Sequence, residues 1–329
     1  MRPFAYERAT DVRDAIERVV GDPEAVFLAG GTNLVDHMKL GVRAPERLVD
    51  VRRVAFGGVE ERPHGGVRIG AGVSNGELAA HPVIREGYPA LSRALLAGAS
   101  GQLRNLATTG GNLLQRTRCV YYQDATTPCN KRDPGSGCSA LTGYTRYHAI
   151  LGASDECVAV HPSDMAVALV ALDAVVEVAG PQGSRELAVA DLFRSPGNEP
   201  QRDTVLDHGE LITAVLLPEL PLARRSTYLK IRDRASYAFA LVSIAAGVEL
   251  DASGRIAALR IALGGVAHRP WRALRAEAAL RGTVPHADAF SAAADAELAD
   301  ARPLADNGFK VPMARRAVID VLTRLTERP

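Results

Sequence analysis

The apolar residues of this chain change their spacing several times, and each change marks an element. Over residues 10–20 they recur at helical intervals, with Thr10 placed to cap an amphipathic helix. Val26-Phe27-Leu28-Ala29 is an unbroken apolar run that stops at Gly30-Gly31, the pattern of a strand and a tight turn, and residues 33–40 then read as a helix. A strand follows at 48–51. Val67, Ile69 and Ala71 alternate with their neighbours as a further strand, Ser74 with Glu77 carries a capping-box signature, and 89–97 reads as a helix.

The pattern resumes at Ser163, which can cap a helix over 165–172. Strands are expected at 175–178 and 211–217, with a Pro/Gly-rich loop at 195–200 between them. Two prolines make 218–222 the best linker. Beyond it come strands at 228–231, 241–250 and 255–263, the last two joined by the turn Asp251-Ala252-Ser253-Gly254, and helices at 272–281, 287–299 and 314–326. The order predicts an α+β chain without internal repeats.

Residues 100–162 break this regularity. Glycines, threonines and prolines replace apolar periodicity, and a structureless loop of that length is uncommon in a compact domain, so something other than an apolar core is expected to order it. All four cysteines of the 329-residue chain, Cys119, Cys129, Cys138 and Cys157, fall in this stretch.

Composition narrows the function. With 47% apolar and 23% charged residues the chain has the balance of a globular protein, and 39 Lys+Arg against 38 Asp+Glu leave a net charge of +1, so no general field draws in nucleic acid or an anionic membrane. The charge-free run 235–248 is too short to span a bilayer, which takes roughly 18 residues or more. The opening MRPFAYERAT has neither a signal-peptide core nor a twin arginine, so export would be expected only in company with a partner.

Two glycine loops carry the first chemistry. In LAGGTNL, residues 28–34, a strand runs into two glycines at a helix start, where backbone N–H groups and the helix dipole can face a diphosphate. A tight strand-to-helix corner wants the same glycines, but TTGGNLL, residues 108–114, repeats the chemistry: Thr108 and Thr109, Gly110-Gly111, then the amide of Asn112. Two such loops suit a dinucleotide. GAGVSNG, residues 70–76, misses the G-x-G-x-x-G spacing by one residue and reads as a structural turn.

The cysteines follow C-x9-C-x8-C-x18-C, without the paired knuckles usual for zinc. Disulfides fit an even count yet would crowd one loop. An iron–sulfur cluster accounts for more of the pattern, with Arg116, Arg118, Lys131, Arg132 and Arg146 at hand to offset its charge; zinc and unligated or disulfide-bonded thiols remain open alternatives. Asp164 sits in a first helical turn, where dipole complementarity would suffice to explain it. Lys230 is one of only four lysines in an arginine-rich chain. The scattered histidines make no hydrolytic metal site or nucleophilic triad.

Five stretches, LAGGTNLVDHMKLG, GASGQLRNLATTGGNLLQRTRC, HPSDMAVALVALDAVVE, YLKIRDRASYAFALVS and LGGVAHRPWR, together resemble the FAD-binding subunits of molybdenum-containing aldehyde oxidoreductases in the xanthine dehydrogenase family. The likeness is greatest to the bacterial periplasmic aldehyde dehydrogenases, through the cysteine-bearing insertion. It implies a two-lobed FAD-binding domain of the vanillyl-alcohol-oxidase type at 1–221, with lobes at about 1–55 and 56–221 and an iron–sulfur insertion at about 115–162. A smaller α/β flavoprotein domain would follow at 222–329. Leu28, Ala29, Gly30, Gly31, Thr32, Asn33 and Leu34 would wrap the pyrophosphate, with Gly98 nearby, and Thr108, Gly110, Gly111 and Asn112 would form the second loop. Asp164 would bond the ribityl chain, with Ile212 and Lys230 along the flavin.

The same resemblance implies that Cys119, Cys129, Cys138 and Cys157 carry a [4Fe-4S] cluster. A large partner would hold the molybdenum cofactor and oxidise the aldehyde to the acid, a small partner would hold two [2Fe-2S] clusters, and electrons would reach FAD here and leave to an acceptor. The compartment would be the periplasm by co-export, or otherwise the cytoplasm. Two other functions remain: the flavin subunit of a 4-hydroxybenzoyl-CoA-reductase-like enzyme, and a zinc-stabilised binding module.

Overall fold

The computed structural model describes residues 1–327. The chain opens with β1 (Ala5–Arg8), β2 (Ala25–Leu28) and β3 (Arg47–Asp50), a parallel sheet in the order β1-β3-β2. The intervening helix, Val12–Val20, buries Ala15, Ile16 and Val19. Its cap is Asp11 rather than Thr10: the Asp11 carboxylate accepts from Asp14 N at 2.9 Å, while Thr10 N donates to the Asp14 carboxylate at 2.8 Å. A carboxylate at the cap also meets the positive end of the helix dipole, which a hydroxyl cannot.

A five-stranded antiparallel sheet follows. It comprises β4 (Val59–Glu61), β5 (Val67–Gly70), β6 (Val175–Gly180), β7 (Gly183–Ala188) and β8 (Leu211–Leu217), in the order β4-β5-β8-β6-β7. The last sheet holds β9 (Ser226–Ile231), β10 (Val242–Leu250), β11 (Ile256–Gly264) and β12 (Trp271–Arg272), in the order β12-β11-β10-β9. Three helices, Leu274–Leu280, Ala287–Leu298 and Lys310–Thr326, accompany that sheet around a core of Val242, Ile244, Ile261, Phe290 and Leu322. The last helix starts at Lys310, a turn before the expected 314, because Pro312 is tolerated in a first turn.

Helix Asp164–Ala171 joins these layers. All eight of its residues are buried, and it packs on helix Pro89–Ala97 and on β10 and β11. A helix apolar on every side must be covered on every side, and this one sits where the sheet layers meet the large cavity described below.

Residues 100–162 contain three short helices, Gly101–Leu106, Thr109–Leu113 and Val120–Gln123, and are otherwise turns. Polar tethers to distant parts of the chain order the stretch, together with a few apolar anchors. Ile150 and Leu151 enter the C-terminal core, and Ile150 N donates to Val266 O at 2.8 Å. Asn307 Nδ2 and Lys310 Nζ donate to the His148 carbonyl at 3.2 and 2.9 Å. Lys131, 2% exposed, places its ammonium on Pro200 O, the Asp203 carboxylate and His268 Nε2.

Candidate cofactor-binding site

The two glycine loops lie against each other. At the end of β2, a β-carbon on Gly30 would fall 2.0 Å from the Leu106 carbonyl oxygen, so only glycine lets the second loop approach there; Gly31 takes φ +72°. Asn33 stands at the N-terminus of helix Leu34–Lys39 without capping it. Its Oδ1 instead accepts from Arg116 N at 3.0 Å, tying the first loop to the entry of the cysteine segment.

The second loop rests on the stretch read as a structural turn. Thr109 N donates to Val73 O, Gly110 N to Ala71 O, and Thr109 Oγ1 to Val73 O at 3.0 Å. Thr108 caps helix Thr109–Leu113 through Gly111 N at 3.2 Å. Both threonine hydroxyls are therefore engaged within the protein. Asn112 Oδ1 accepts from Ser163 Oγ at 2.6 Å and Gln115 Nε2 at 2.8 Å, leaving its amide hydrogens for other acceptors.

Asp164 and Lys230 meet at the head of the buried helix. Lys230 Nζ lies 2.7 Å from Asp164 Oδ2, and Tyr228 OH donates to Asp164 Oδ1 at 2.5 Å. Lys230 also donates to Ala97 O at 3.2 Å, beside Arg232 at 2.9 Å. Burial, with the Asp164 charge beside it, pushes the Tyr228 hydroxyl well above its usual pKa, so it stays a donor.

These elements surround a cavity of about 750 Å³, near the top of the range for small-molecule and cofactor sites, roughly 300–1,000 Å³. Of the residues expected from the sequence, Thr32, Asn33, Gly98, Gly111, Asn112, Asp164 and Lys230 line it. Leu28, Ala29, Gly30, Gly31, Leu34, Thr108 and Gly110 are not among its lining residues. Ile212 is elsewhere: it is buried in β8 opposite Val178, within the apolar core.

The lining also includes residues the sequence did not assign to the flavin site. Asn75 Oδ1, Arg118 Nε, His148 Nδ1 and His161 Nε2 are buried without a hydrogen-bond partner, and all four residues line the cavity. Unpaired buried polar atoms are costly, and these four belong to residues of the cavity lining. Burial pushes both histidines down to about 4, so each is a neutral imidazole at neutral pH, with one donor and one acceptor nitrogen. Among the described residues, Ala99, Asp173 and Tyr237 are the non-glycines with positive φ, and Ala99 and Tyr237 line this cavity. Such strain collects at functional sites.

A second, small cavity is lined by Cys119, Cys129, Cys138 and Cys157 together. All four are free thiols, so no disulfide uses them. An isolated bridge joins Cys129 to Cys138, and Cys129 N donates to Ser136 Oγ at 3.0 Å. Burial pushes the Cys119 thiol up to about 11 and Cys157 to about 12, which keeps them protonated unless a cation takes the proton's place. Among the described residues no three His, Cys, Asp or Glu side chains converge as on a single metal ion.

Of the five cations expected beside the cysteines, only Lys131 lines this cavity. Arg116 pairs with Asp203 at 2.7 Å, Arg118 with Asp36 at 3.0 Å and Arg146 with Asp233 at 2.6 Å, while Arg132 donates to the Tyr121 and Tyr122 carbonyls.

Residues 2–220 match the model of the FAD binding domain in molybdopterin dehydrogenase, and residues 227–327 that of the CO dehydrogenase flavoprotein C-terminal domain. The chain therefore belongs to the FAD-binding subunits of the molybdenum hydroxylases, the family of the xanthine dehydrogenases, and is an oxidoreductase subunit. It is 52% identical over 323 residues, 98% of each chain, to the aldehyde oxidoreductase FAD-binding subunit PaoB of Escherichia coli (strain K12). The glyceraldehyde dehydrogenase medium chain of Sulfolobus acidocaldarius is 26% identical over 97% of this chain and 95% of its own. A chain of the carbon monoxide dehydrogenase structure from Hydrogenophaga pseudoflava superposes with TM-score 0.76 at 25% identity, covering 98% of this chain and 96% of that one. Among the described residues no helix is long and apolar enough to cross a membrane.

Proposed function

We propose that this chain is the FAD and iron–sulfur subunit of a heterotrimeric molybdenum aldehyde oxidoreductase. The observation that carries the reading is the large cavity, lined by residues of both glycine loops together with Asp164 and Lys230. Its residues fit FAD. The first loop and the Asn112 amide hold the diphosphate between them; Gly98 lets the chain pass close to Asp164, whose carboxylate accepts from a ribityl hydroxyl; Lys230 holds that carboxylate in place. When bound, the flavin supplies the redox centre that takes electrons from the partners and hands them to an acceptor. The protein orients it, excludes water and sets the charge around it.

Cys119, Cys129, Cys138 and Cys157 are the ligands of a [4Fe-4S] cluster in this reading. The donor set suits it: four thiols on one cavity wall, beside a buried cation. Thiolates on one zinc ion at about 2.3 Å would lie close together. No three donor side chains converge in that way among the described residues.

The division into a FAD-binding domain at 1–221 and a C-terminal domain at 222–329 belongs to the same proposal. So do a large molybdenum-cofactor partner, a small partner with two [2Fe-2S] clusters, and a periplasmic site reached by co-export. The 52% identity to an aldehyde oxidoreductase subunit along the whole chain supports the aldehyde as substrate of the assembly.

The visible spectrum of the purified chain, with released flavin and iron counted per protein, tests the reading. One FAD and about four irons, both bleached by reductant, are expected. Flavin without iron removes the cluster from the proposal, and neither cofactor with bound zinc leaves a metal-stapled binding module.

A further inference from the structure

His148 stands between the two cavities. It is 3% exposed, lines the large cavity, and places Nε2 3.1 Å from Cys119 Sγ. Cys119 is the one cysteine of the four that lines both cavities. The residue is held through both its ring and its backbone. Its ring stacks on Tyr121 at a centroid separation of 6.3 Å, and its carbonyl accepts from Lys310 Nζ and Asn307 Nδ2. No other nitrogen of a side chain is hydrogen-bonded to a cysteine sulfur among the described residues.

We propose that His148 is a positioning residue that couples the cysteine cavity to the flavin cavity: its Nε2–H donates to Cys119 Sγ and raises the reduction potential of the cluster the four thiolates hold. This rests on the iron–sulfur reading above. Once Cys119 is a cluster ligand its sulfur has no proton to give, so in that state the hydrogen of the 3.1 Å contact belongs to Nε2. Reduction by one electron adds negative charge that is shared with the ligand sulfurs. A hydrogen bond to one of them strengthens as that charge grows, so it favours the reduced form and moves the potential upward. The same bond fixes the orientation of the ring in the wall of the large cavity.

The test is a redox titration of the purified assembly followed by electron paramagnetic resonance, with iron and flavin counted in each sample. In samples with a full iron count, His148→Leu should shift the cluster potential to more negative values and move the flavin potential less. His148→Gln, which retains an amide donor, should recover part of that shift. In the native assembly the reduced cluster should also show hyperfine coupling to an imidazole nitrogen and to an exchangeable proton. This measurement needs no variant and decides the matter if His148→Leu sheds its iron. Full iron with an unchanged potential in His148→Leu, or a reduced native cluster without the nitrogen coupling, overturns the inference. A native assembly without a four-iron cluster overturns the reading beneath it instead.

Discussion

The α-carbon of Gly30 faces the Leu106 carbonyl so closely that a β-carbon would lie 2.0 Å from its oxygen. This contact sets the distance between the two glycine loops. Gly30→Ala must push them apart, and overpacking of this kind costs about 1–3 kcal/mol. We expect a lower melting temperature and a fall in flavin per protein larger than the stability loss alone explains. Full flavin occupancy in a folded Gly30→Ala chain would separate the loop contact from flavin binding.

Asp164 and Lys230 form a buried ion pair, their side chains 8% and 4% exposed. Such a pair need not be worth much intact, but removing one partner strands the other charge away from water, at about 3–5 kcal/mol. Asp164→Asn and Lys230→Met should each lower the urea midpoint sharply, and the double variant should lose less than the sum of the two. Asp164→Asn should be the milder of the single changes for flavin binding, because its amide oxygen still accepts from a hydroxyl. Additive losses in the double variant would mean that the two groups do not rely on each other.

Much of the fold was legible where one face of an element is dry. Helix Pro89–Ala97 and strand Leu211–Leu217 lie where their apolar spacing put them. Strands β1, β4 and β7 left no such mark. Each is the edge of its sheet, carries Glu or Arg along an exposed surface, and so lacks the alternation by which a half-buried strand is read.

The site divides in the same way. The glycine doublets stood out because close approach demands glycine, and Asp164 and Lys230 were reached through the resemblance. Asn75, Arg118, His148 and His161 are single polar residues that the fold brings to the lining of one cavity. Asn75 lay in the glycine stretch read as a turn, and His161 in the His-Pro-Ser-Asp motif, yet neither position revealed an unpaired polar atom. The Thr108 hydroxyl accepts from Gly111 N and the Thr109 hydroxyl donates to Val73 O, bonds that the sequence did not reveal.

Asp203 gathers the cations beneath the cysteine segment. Burial acts to raise its pKa, but a hydrogen bond from His268 and the charges of Arg116 and Lys131 hold the carboxylate well below the usual range. A depressed carboxylate stabilises the fold fully above its unfolded pKa of about 3.9, and the contribution declines as pH falls below that until the folded carboxyl itself takes a proton. Asp203→Asn should therefore be less stable at pH 7, by about 3–5 kcal/mol for the stranded Lys131 and Arg116, and lose less on acidification than the native chain. Urea midpoints from pH 7 to pH 3 would test this, and parallel acid limbs in the two proteins would exclude Asp203 as the titrating group.

Lys310 gives a dependence of the same sign in a higher pH range. Its ammonium is fully buried, donates to the His148 and Gly265 carbonyls at 2.9 and 2.8 Å, and burial pushes its pKa down to about 7. Below pH 7 the folded and unfolded chains both carry its charge. Between about 7 and the unfolded value of about 10.4 only the unfolded chain does, so the unfolded state binds more protons and the fold gains stability as pH rises. From pH 7 to pH 9 the gain from this group is at most about 3 kcal/mol. Lys310→Met should abolish it, giving a flatter dependence than the native chain over that range even though the Gly265 carbonyl loses its partner. Denaturation midpoints of the two proteins at pH 7, 8 and 9 decide the point, and the same slope in both would mean that Lys310 stays charged where it is buried.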